Sequence, residues 1–178
     1  DARVTWLPAR LAAQPKILWR TPLTEIALAG IAATKDLVIV ADRELDDTVD
    51  VWKCLAADTG EVRWTVRHLA PGSLDYGNSA RTTPLIVGER VYLVGAHGHV
   101  TCVQLETGKQ VWQRNLRTAF GVTEEMKWGC CGSPLLVDDK LILNPGGPAA
   151  SVVALDPATG KTIWQTPGRP ASYGSLIA

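Results

Sequence analysis

The sequence predicts an all-β chain built from repeated four-stranded antiparallel units. A Thr-Gly turn recurs three times, and a tryptophan follows each turn glycine after four residues. Short runs rich in Val, Ile, Leu and Tyr precede each turn and are separated by turn residues, as expected for strands. No stretch of ten or more residues has a helical period of apolar positions. The turn glycines are Gly60, Gly108 and Gly160, and the tryptophans are Trp64, Trp112 and Trp164.

The strand signals follow the same order in each unit. In the second unit, Gly88-Glu89 and His97-Gly98 form the turns, and in the third Asp138-Asp139 forms one. The strands of these two units are predicted at Pro84–Val87, Arg90–Val94, Val100–Leu105, Pro134–Val137, Leu141–Leu143 and Val152–Leu155, each set followed by the tryptophan strand. A weaker copy, Lys16-Ile17-Leu18-Trp19, opens the series, so successive tryptophans lie 45, 48 and 52 residues apart.

This spacing fits four-stranded blades of a β-propeller. The second strands are apolar at consecutive positions, which indicates sheets covered on both faces, as when each blade lies between two neighbours. Each tryptophan then lies on the outermost strand and packs against the next blade, and the turn glycine supplies a positive φ.

We therefore predict a single partial propeller domain over residues 1–178, with about three and a half blades. The whole blades are predicted at about 24–67, 78–115 and 129–167. Residues 15–21, around Trp19, are predicted as the outer strand of a preceding blade, and residues 171–178 as the first strand of a following one.

The charge and hydropathy of the chain argue against nucleic acid as a partner and against a membrane span. Lys plus Arg and Asp plus Glu both number 18, so the basic surface that nucleic acid requires is missing. No apolar run approaches the roughly 20 residues of a membrane span. The chain begins at Asp1 and ends within a predicted strand, so we expect it to be part of a longer protein, or to pair with a second copy of itself.

The segment from Ala154 to Trp164, with Asp156, Thr159 and Gly160 at fixed places, resembles the tryptophan-docking motif of the pyrroloquinoline-quinone (PQQ) repeat propellers. That group includes quinoprotein dehydrogenases and the BamB-like outer-membrane-assembly lipoproteins. The resemblance implies a ring of eight blades, of which this chain would be a fragment. It also implies a periplasmic or otherwise extracytoplasmic location.

The same resemblance suggests Cys130, Cys131 and Trp128 as cofactor-contacting residues. Arg81 is added to them because it is in register with Cys131 when the strand prolines are aligned and could offer its charge to a ligand; the alternative is a solvated arginine near the channel wall. Methanol-dehydrogenase-like quinoproteins carry a disulfide between adjacent cysteines against the quinone, and Cys130-Cys131 precede a predicted innermost strand. However, the family arginine that follows the pair has no counterpart here, and no set of Glu, Asn and Asp calcium ligands is recognisable. The other interpretation is a pair of small, partly buried thiols.

Three further features have plainer interpretations. Cys54 and Cys102 hold equivalent repeat positions and are predicted to be small core residues. His97 and His99 flank a hairpin glycine with no third metal ligand in view, so turn chemistry is favoured and no metal site is predicted. The acidic stretch 42–50 is interpreted as a solvated connection, with a calcium role as the alternative.

The function predicted is binding or scaffolding without catalysis, because no nucleophile, general base or phosphate loop is identifiable. Loops 68–79 and 114–129 lead into the innermost strands and are the expected recognition surface, for a protein or a small molecule. Other proteins, or the missing blades, are the expected partners. The alternative is a fragment of a PQQ- and calcium-dependent alcohol or sugar dehydrogenase, and a third class is a sensor domain attached to another module.

Overall fold

The computed structural model describes residues 14–123 and 126–178, and it confirms the all-β prediction. Residues 1–13 of the predicted domain, and residues 124 and 125 of the predicted loop, lie outside this range. Within it are three four-stranded antiparallel sheets, each with its strands in chain order. A single helical turn, α1 (Leu116–Ala119), is the only α-helix in the described ranges.

The strands of each sheet are as follows. The first sheet has β1 (Ala32–Ala33), β2 (Leu37–Arg43), β3 (Val49–Ala56) and β4 (Val62–Leu69). The second has β5 (Leu85–Val87), β6 (Arg90–Val94), β7 (His99–Gln104) and β8 (Gln110–Asn115). The third has β9 (Leu135–Val137), β10 (Lys140–Leu143), β11 (Val153–Leu155) and β12 (Thr162–Gln165).

Each sheet packs on the next through the repeated tryptophan. The indole N–H of Trp64, on β4, donates to the carbonyl of Leu105 at 2.8 Å, and the ring lies on Gly108 of the second sheet. The same contact recurs before and after it: Trp19 donates to Ala57 and lies on Gly60, and Trp112 donates to Pro157 and lies on Gly160. In every case the accepting carbonyl is three residues before the glycine.

Only glycine fits at the receiving position. Gly108 has a φ of +68°, which side-chain-bearing residues rarely adopt. A Cβ at this position would also come within 2.7 Å of the Trp64 ring, closer than van der Waals contact allows. The local Thr-Gly-x-x-x-Trp pattern therefore specifies both the hairpin within one sheet and the contact between sheets.

The first strands of neighbouring sheets begin side by side. The backbone N–H of Thr83, before β5, donates to the Ser133 hydroxyl at 3.0 Å, and the N–H of Ser133, before β9, donates to the Ser175 hydroxyl at 3.1 Å. Loops that lead into first strands consequently share one face of the molecule.

The core lies between the sheets in two clusters of buried apolar side chains. One fills the space between the first and second sheets around Trp52, Cys54 and Leu93, and the other lies between the second and third around Tyr92, Cys102 and Leu143. Cys54 and Cys102 are fully buried, as their sequence positions predict. Residues 15–21 and 171–178 form no strand here, because a strand needs a hydrogen-bonded partner, and their assignment to further blades stays a prediction.

Candidate binding face and a buried polar cluster

A row of exposed aromatic rings lies on the face formed by the loops that enter the first strands. Trp128 is the middle ring, with ring centroids 6.4 Å from Tyr76 and 4.4 Å from Tyr173. Tyr76 is the most exposed of the three, at 79%. These rings come from the three segments that follow the first, second and third sheets along the chain, so this aromatic row depends on the packing of all three sheets.

Arg81 holds the loop that carries Tyr76. Its guanidinium donates hydrogen bonds to the carbonyls of Asp75 and Gly77, both at 2.7 Å, and to that of Ser79 at 3.0 Å. Tyr76 itself has a φ of +67°, which costs energy for a residue with a side chain and is retained because the surrounding contacts fix the loop. A depression lined by Tyr76, Asn78, Ile26 and neighbouring residues lies beside the ring.

The two adjacent cysteines carry free thiols close to this face. Cys131 is partly exposed, and its thiol donates to the carbonyl of Trp128 at 3.3 Å. Burial raises the pKa of Cys130 to about 11 and also raises the pKa of Cys131. The thiolate is the nucleophilic form of cysteine, so these thiols are weak nucleophiles at neutral pH.

The structure brings Arg81, Trp128 and Cys131 to the same face, with Arg81 close enough to act electrostatically on the thiol of Cys131. Their assignment to a quinone remains a prediction. Calcium in such a site would need several oxygen ligands. In the part of the chain that the structure describes, no group of three acidic, histidine or cysteine side chains converges beside these thiols, so the residues do not fit a calcium-bound quinone.

A buried polar cluster between the first and second sheets was not predicted. At its centre Asp50, on β3, is fully buried, and its Oδ1 accepts from Nη1 of Arg43 at 2.6 Å. Arg43, on β2, also donates to Asp47 Oδ1 at 2.5 Å and to the carbonyls of Asp47 and Ala70. The guanidinium thus makes four hydrogen bonds, two of them to carboxylates, which explains how a charged side chain tolerates burial at this point.

Two histidines complete the cluster. His68, at the end of β4, has its Nε2 at 3.5 Å from Oδ2 of Asp50, and its ring lies 4.8 Å from that of His99, on β7. Burial, followed by the charge of His68, lowers the pKa of His99. Several buried atoms here have no hydrogen-bond partner: Asp50 Oδ2, both ring nitrogens of His68, His99 Nδ1, Trp52 Nε1 and Thr101 Oγ1.

Two sequence interpretations need correction. The stretch 42–50 is a solvated connection only over its central turn, because Asp42, Arg43 and Asp50 lie within strands and are buried. No further side chain of metal-ligating type is evident near His99 in the sequence, whereas the structure places His68 and Asp50 beside it. Its neighbour His97 turns away and pairs with Asn78 at 3.2 Å.

One sequence signal could have revealed the cluster. Asp50 and His68 occupy repeat positions that hold Gly98 and Leu116 in the next unit, counted from the aligned tryptophans. Where one repeat has an apolar residue at a buried position and another repeat has an ionisable one, core packing does not require the ionisable residue.

Comparison with known proteins relates the chain to outer membrane protein assembly factor BamB and to quinoprotein dehydrogenases. The profile of a protein family described as outer membrane protein assembly factor BamB matches residues 8–176. The chain is 28% identical over 136 residues to the quinoprotein ethanol dehydrogenase of Pseudomonas putida, covering 68% of this chain and 20% of that protein. It is 22% identical over 151 residues to outer membrane protein assembly factor BamB of Yersinia pestis, covering 84% and 36% respectively.

Among solved structures, BamB of Moraxella catarrhalis superposes with a TM-score of 0.61 at 22% identity, over 84% of this chain and 40% of that one. This likeness concerns the fold. The chain thus spans about a fifth to two fifths of the length of the relatives it matches. Within the described ranges, no helix has the length and apolar character needed to cross a bilayer.

Proposed function

Since the chain belongs to the family described as outer membrane protein assembly factor BamB, we propose that it acts as a non-catalytic binding module of a PQQ-repeat propeller. Its recognition surface is the aromatic row Tyr76, Trp128 and Tyr173, and its partner is a protein. The observation that carries this proposal is the exposure of three neighbouring rings on loops held by a rigid frame. Tyrosine and tryptophan are enriched where protein interfaces concentrate their binding energy.

Three features support binding rather than chemistry. The nearby thiols have raised pKa values, so they are poorly suited to nucleophilic attack. The guanidinium of Arg81 donates its hydrogen bonds to carbonyls of the loop that carries Tyr76, which suits a role in positioning that loop. The loop that presents Tyr76 is held in one conformation before any partner arrives, which lowers the entropy lost on binding.

The partner chemistry follows from the family and the surface together. A family concerned with outer membrane protein assembly would recognise segments whose apolar and polar residues alternate, as strands of membrane β-barrels do. Flat aromatic rings and the depression beside Tyr76 offer pockets for alternate side chains of an extended segment. An extracytoplasmic, periplasmic location belongs to the same proposal.

A further partner is the remainder of the propeller. Trp164 holds the repeat position of Trp64 and Trp112, but it is 40% exposed and has no hydrogen-bond partner among the described residues, whereas Trp64 is 8% exposed. A following blade would cover Trp164 by the contact that joins the other sheets. The unpaired outer ring therefore favours a longer arc or a ring, with eight blades by family resemblance.

The binding proposal is tested with a labelled peptide of about ten residues that alternates apolar and polar side chains. Fluorescence anisotropy should show saturable binding, and Tyr76→Ser and Trp128→Ser should each weaken it by about tenfold, as expected for interface aromatics. Leu45→Ser is the matched control for Tyr76→Ser, because Leu45 is as exposed as Tyr76 but lies in the turn between β2 and β3. Absence of binding, or equal affinity in all variants, would contradict the proposal.

The second candidate is a fragment of a quinone-dependent dehydrogenase. It is favoured by the relationship to quinoprotein ethanol dehydrogenase and by the adjacent thiols close to the aromatic row. Against it, the described side chains beside these thiols do not supply the ligands that a calcium-bound quinone would need. Dye reduction with a panel of alcohols after addition of quinone and calcium distinguishes the two functions, and we expect none.

A further inference from the structure

We propose that Asp50, His68 and His99 bind a divalent transition-metal ion, Zn²⁺ by the chemistry of the ligands, and that this ion links the first two sheets. The inference concerns the buried polar cluster and is independent of the aromatic row. Asp50 and His68 come from the first sheet and His99 from the second, so a bound ion would cross the interface.

The ligand set suits such an ion. One carboxylate oxygen and two imidazole nitrogens lie within 4.8 Å of one another. Tetrahedral zinc places nitrogen and oxygen ligands about 3.4 Å apart, given bond lengths near 2.1 Å. The distance between Asp50 Oδ2 and His68 Nε2 is already 3.5 Å. The ligand atom of His99 lies within 4.8 Å of both, so rotation of its side chain must bring it closer to complete the geometry. Two imidazoles and one carboxylate favour zinc and its transition-metal neighbours over calcium or magnesium.

The ligand atoms are buried and unsatisfied. Asp50 Oδ2, His99 Nδ1 and both ring nitrogens of His68 have no hydrogen-bond partner, and Asp50 is fully buried. An unpaired polar atom in the interior costs folding free energy, and most native proteins avoid it. A metal ion satisfies three of these groups at once, which the protein alone does not do.

Arg43 prepares the carboxylate for this role. It binds Oδ1 of Asp50 and so directs Oδ2 toward the histidines. Asp47 pairs with the same guanidinium, and the three side chains together carry a formal charge of −1, which favours a cation. Space for Oδ2 is provided by Gly95, where an added Cβ would meet that oxygen at 2.3 Å.

The neighbouring interface indicates that these residues are not needed for packing. Between the second and third sheets, Gly98 takes the place of Asp50, buried Leu116 that of His68, and Ser151 that of His99. Gly98 and Leu116 keep the backbone pairing, with a hydrogen bond of 2.8 Å from Leu116 N–H to Gly98 carbonyl. The same architecture thus forms with no ligating side chain, and the polar set at the first interface is an addition to it.

The two imidazole rings lie close to the surface, although most of their nitrogens are buried. A surface depression lined by His68, His99, Gln113 and Asn115 leads to the two imidazoles. Three protein ligands leave a fourth position for water on that side, the arrangement of zinc sites that keep an exchangeable ligand.

The test measures Zn²⁺ binding by isothermal titration, with Co²⁺ as the spectroscopic substitute. Cys130→Ser/Cys131→Ser serves as background, so that adjacent thiols cannot supply the signal. We expect one ion per chain and intense visible cobalt bands. His68→Leu and His99→Ser, which copy the second interface, should lower affinity by about 100-fold or more while the fold is kept. His97→Gln is the matched control and should bind normally, because His97 points to Asn78.

A second measurement does not depend on variants. The chain has three histidines, so two-dimensional ¹H–¹⁵N spectra of the imidazoles should show zinc-dependent shifts for His68 and His99 and none for His97. The proposal is overturned by binding that disappears with the cysteines, by equal affinity in the His68 and His99 variants, or by a shift of His97 alone. Absence of stoichiometric binding also overturns it.

Discussion

The contact between sheets can be measured by making one substitution at two equivalent positions. Trp64→Phe removes an indole that is buried against the second sheet, whereas Trp164→Phe removes the equivalent indole where the described chain has no further sheet. Both tryptophans lie on the last strand of their sheet, four residues after the turn glycine. The difference between the two variants therefore isolates the contact between sheets from any effect on strand formation.

The expected loss at Trp64 has two parts. The Leu105 carbonyl loses its donor at 2.8 Å, and a buried polar group left unsatisfied costs about 1–2 kcal/mol. The smaller ring also leaves part of the space over Gly108 unfilled, at about 0.8 kcal/mol per buried carbon group, or about 1–1.5 kcal/mol in total. The free energy of unfolding should fall by about 3 kcal/mol. For Trp164, which is 40% exposed and has no hydrogen-bond partner among the described residues, we expect a loss below about 0.5 kcal/mol.

Urea denaturation followed by far-ultraviolet circular dichroism provides the measurement, since the backbone of the strands gives a cooperative unfolding signal in every variant. Both variants should unfold with the slope of the unsubstituted chain. Equal losses for the two variants would refute the reasoning, because they would show that tryptophan stabilises its own strand and not the interface. A third variant, Trp112→Phe, should behave like Trp64→Phe.

Three other results are expected. Gly108→Ala should cost at least about 2 kcal/mol, because it combines a positive φ with the clash against Trp64; Gly88→Ala, also at positive φ but with open space around it, should cost about 1 kcal/mol in a parallel urea titration. Burial raises the pKa of Cys102 to about 11 in the folded chain, so stability is fully present below the unfolded thiol pKa near 9.0 and is lost as pH rises toward 11. Cys102→Ala should flatten the fall in urea midpoint over that window, and an unchanged slope would contradict the assignment. Cys131, the partly exposed thiol, should be alkylated by iodoacetamide first and the buried thiols only on unfolding, as peptide mass spectrometry can establish; simultaneous labelling would contradict the burial pattern.

The repeated features could be predicted because they are local. A turn glycine, its preceding threonine and a tryptophan four residues later lie within one hairpin, so their meaning does not depend on distant residues. The strand runs and their two-residue turns are equally local, and Asp138 and Asp139 both adopt the positive φ that such a turn requires. These signals were sufficient to predict the strands of the second and third sheets and their order along the chain.

The buried polar cluster could not be predicted in the same way, because it depends on which face of each strand meets the next sheet. Within the acidic stretch, Asp42 and Arg43 are adjacent and therefore face opposite ways. Asp42 accepts hydrogen bonds from Lys53 and from the backbone of Thr24, which anchors the segment before β1. Arg43 instead turns into the interface and meets Asp50. The dense run of charges suggested a solvated loop. Because successive side chains of a strand point to opposite faces, Asp42 and Arg43 instead enter two different buried hydrogen-bond networks.

The two interfaces between sheets together separate architecture from specific function in this chain. One contact recurs at both interfaces: the tryptophan ring lies on the turn glycine, and the indole N–H donates to the carbonyl three residues before that glycine. This contact is needed to hold one sheet on the next. What differs at equivalent positions, His68 against Leu116, cannot be required for that purpose, because leucine fills the position and is buried there. A repeat that keeps unsatisfied ionisable groups where its neighbour has apolar ones loses stability unless something binds them. A ligand of this chain should therefore be sought at the positions where the two interfaces differ, such as His68, and not at the residues that every repeat shares.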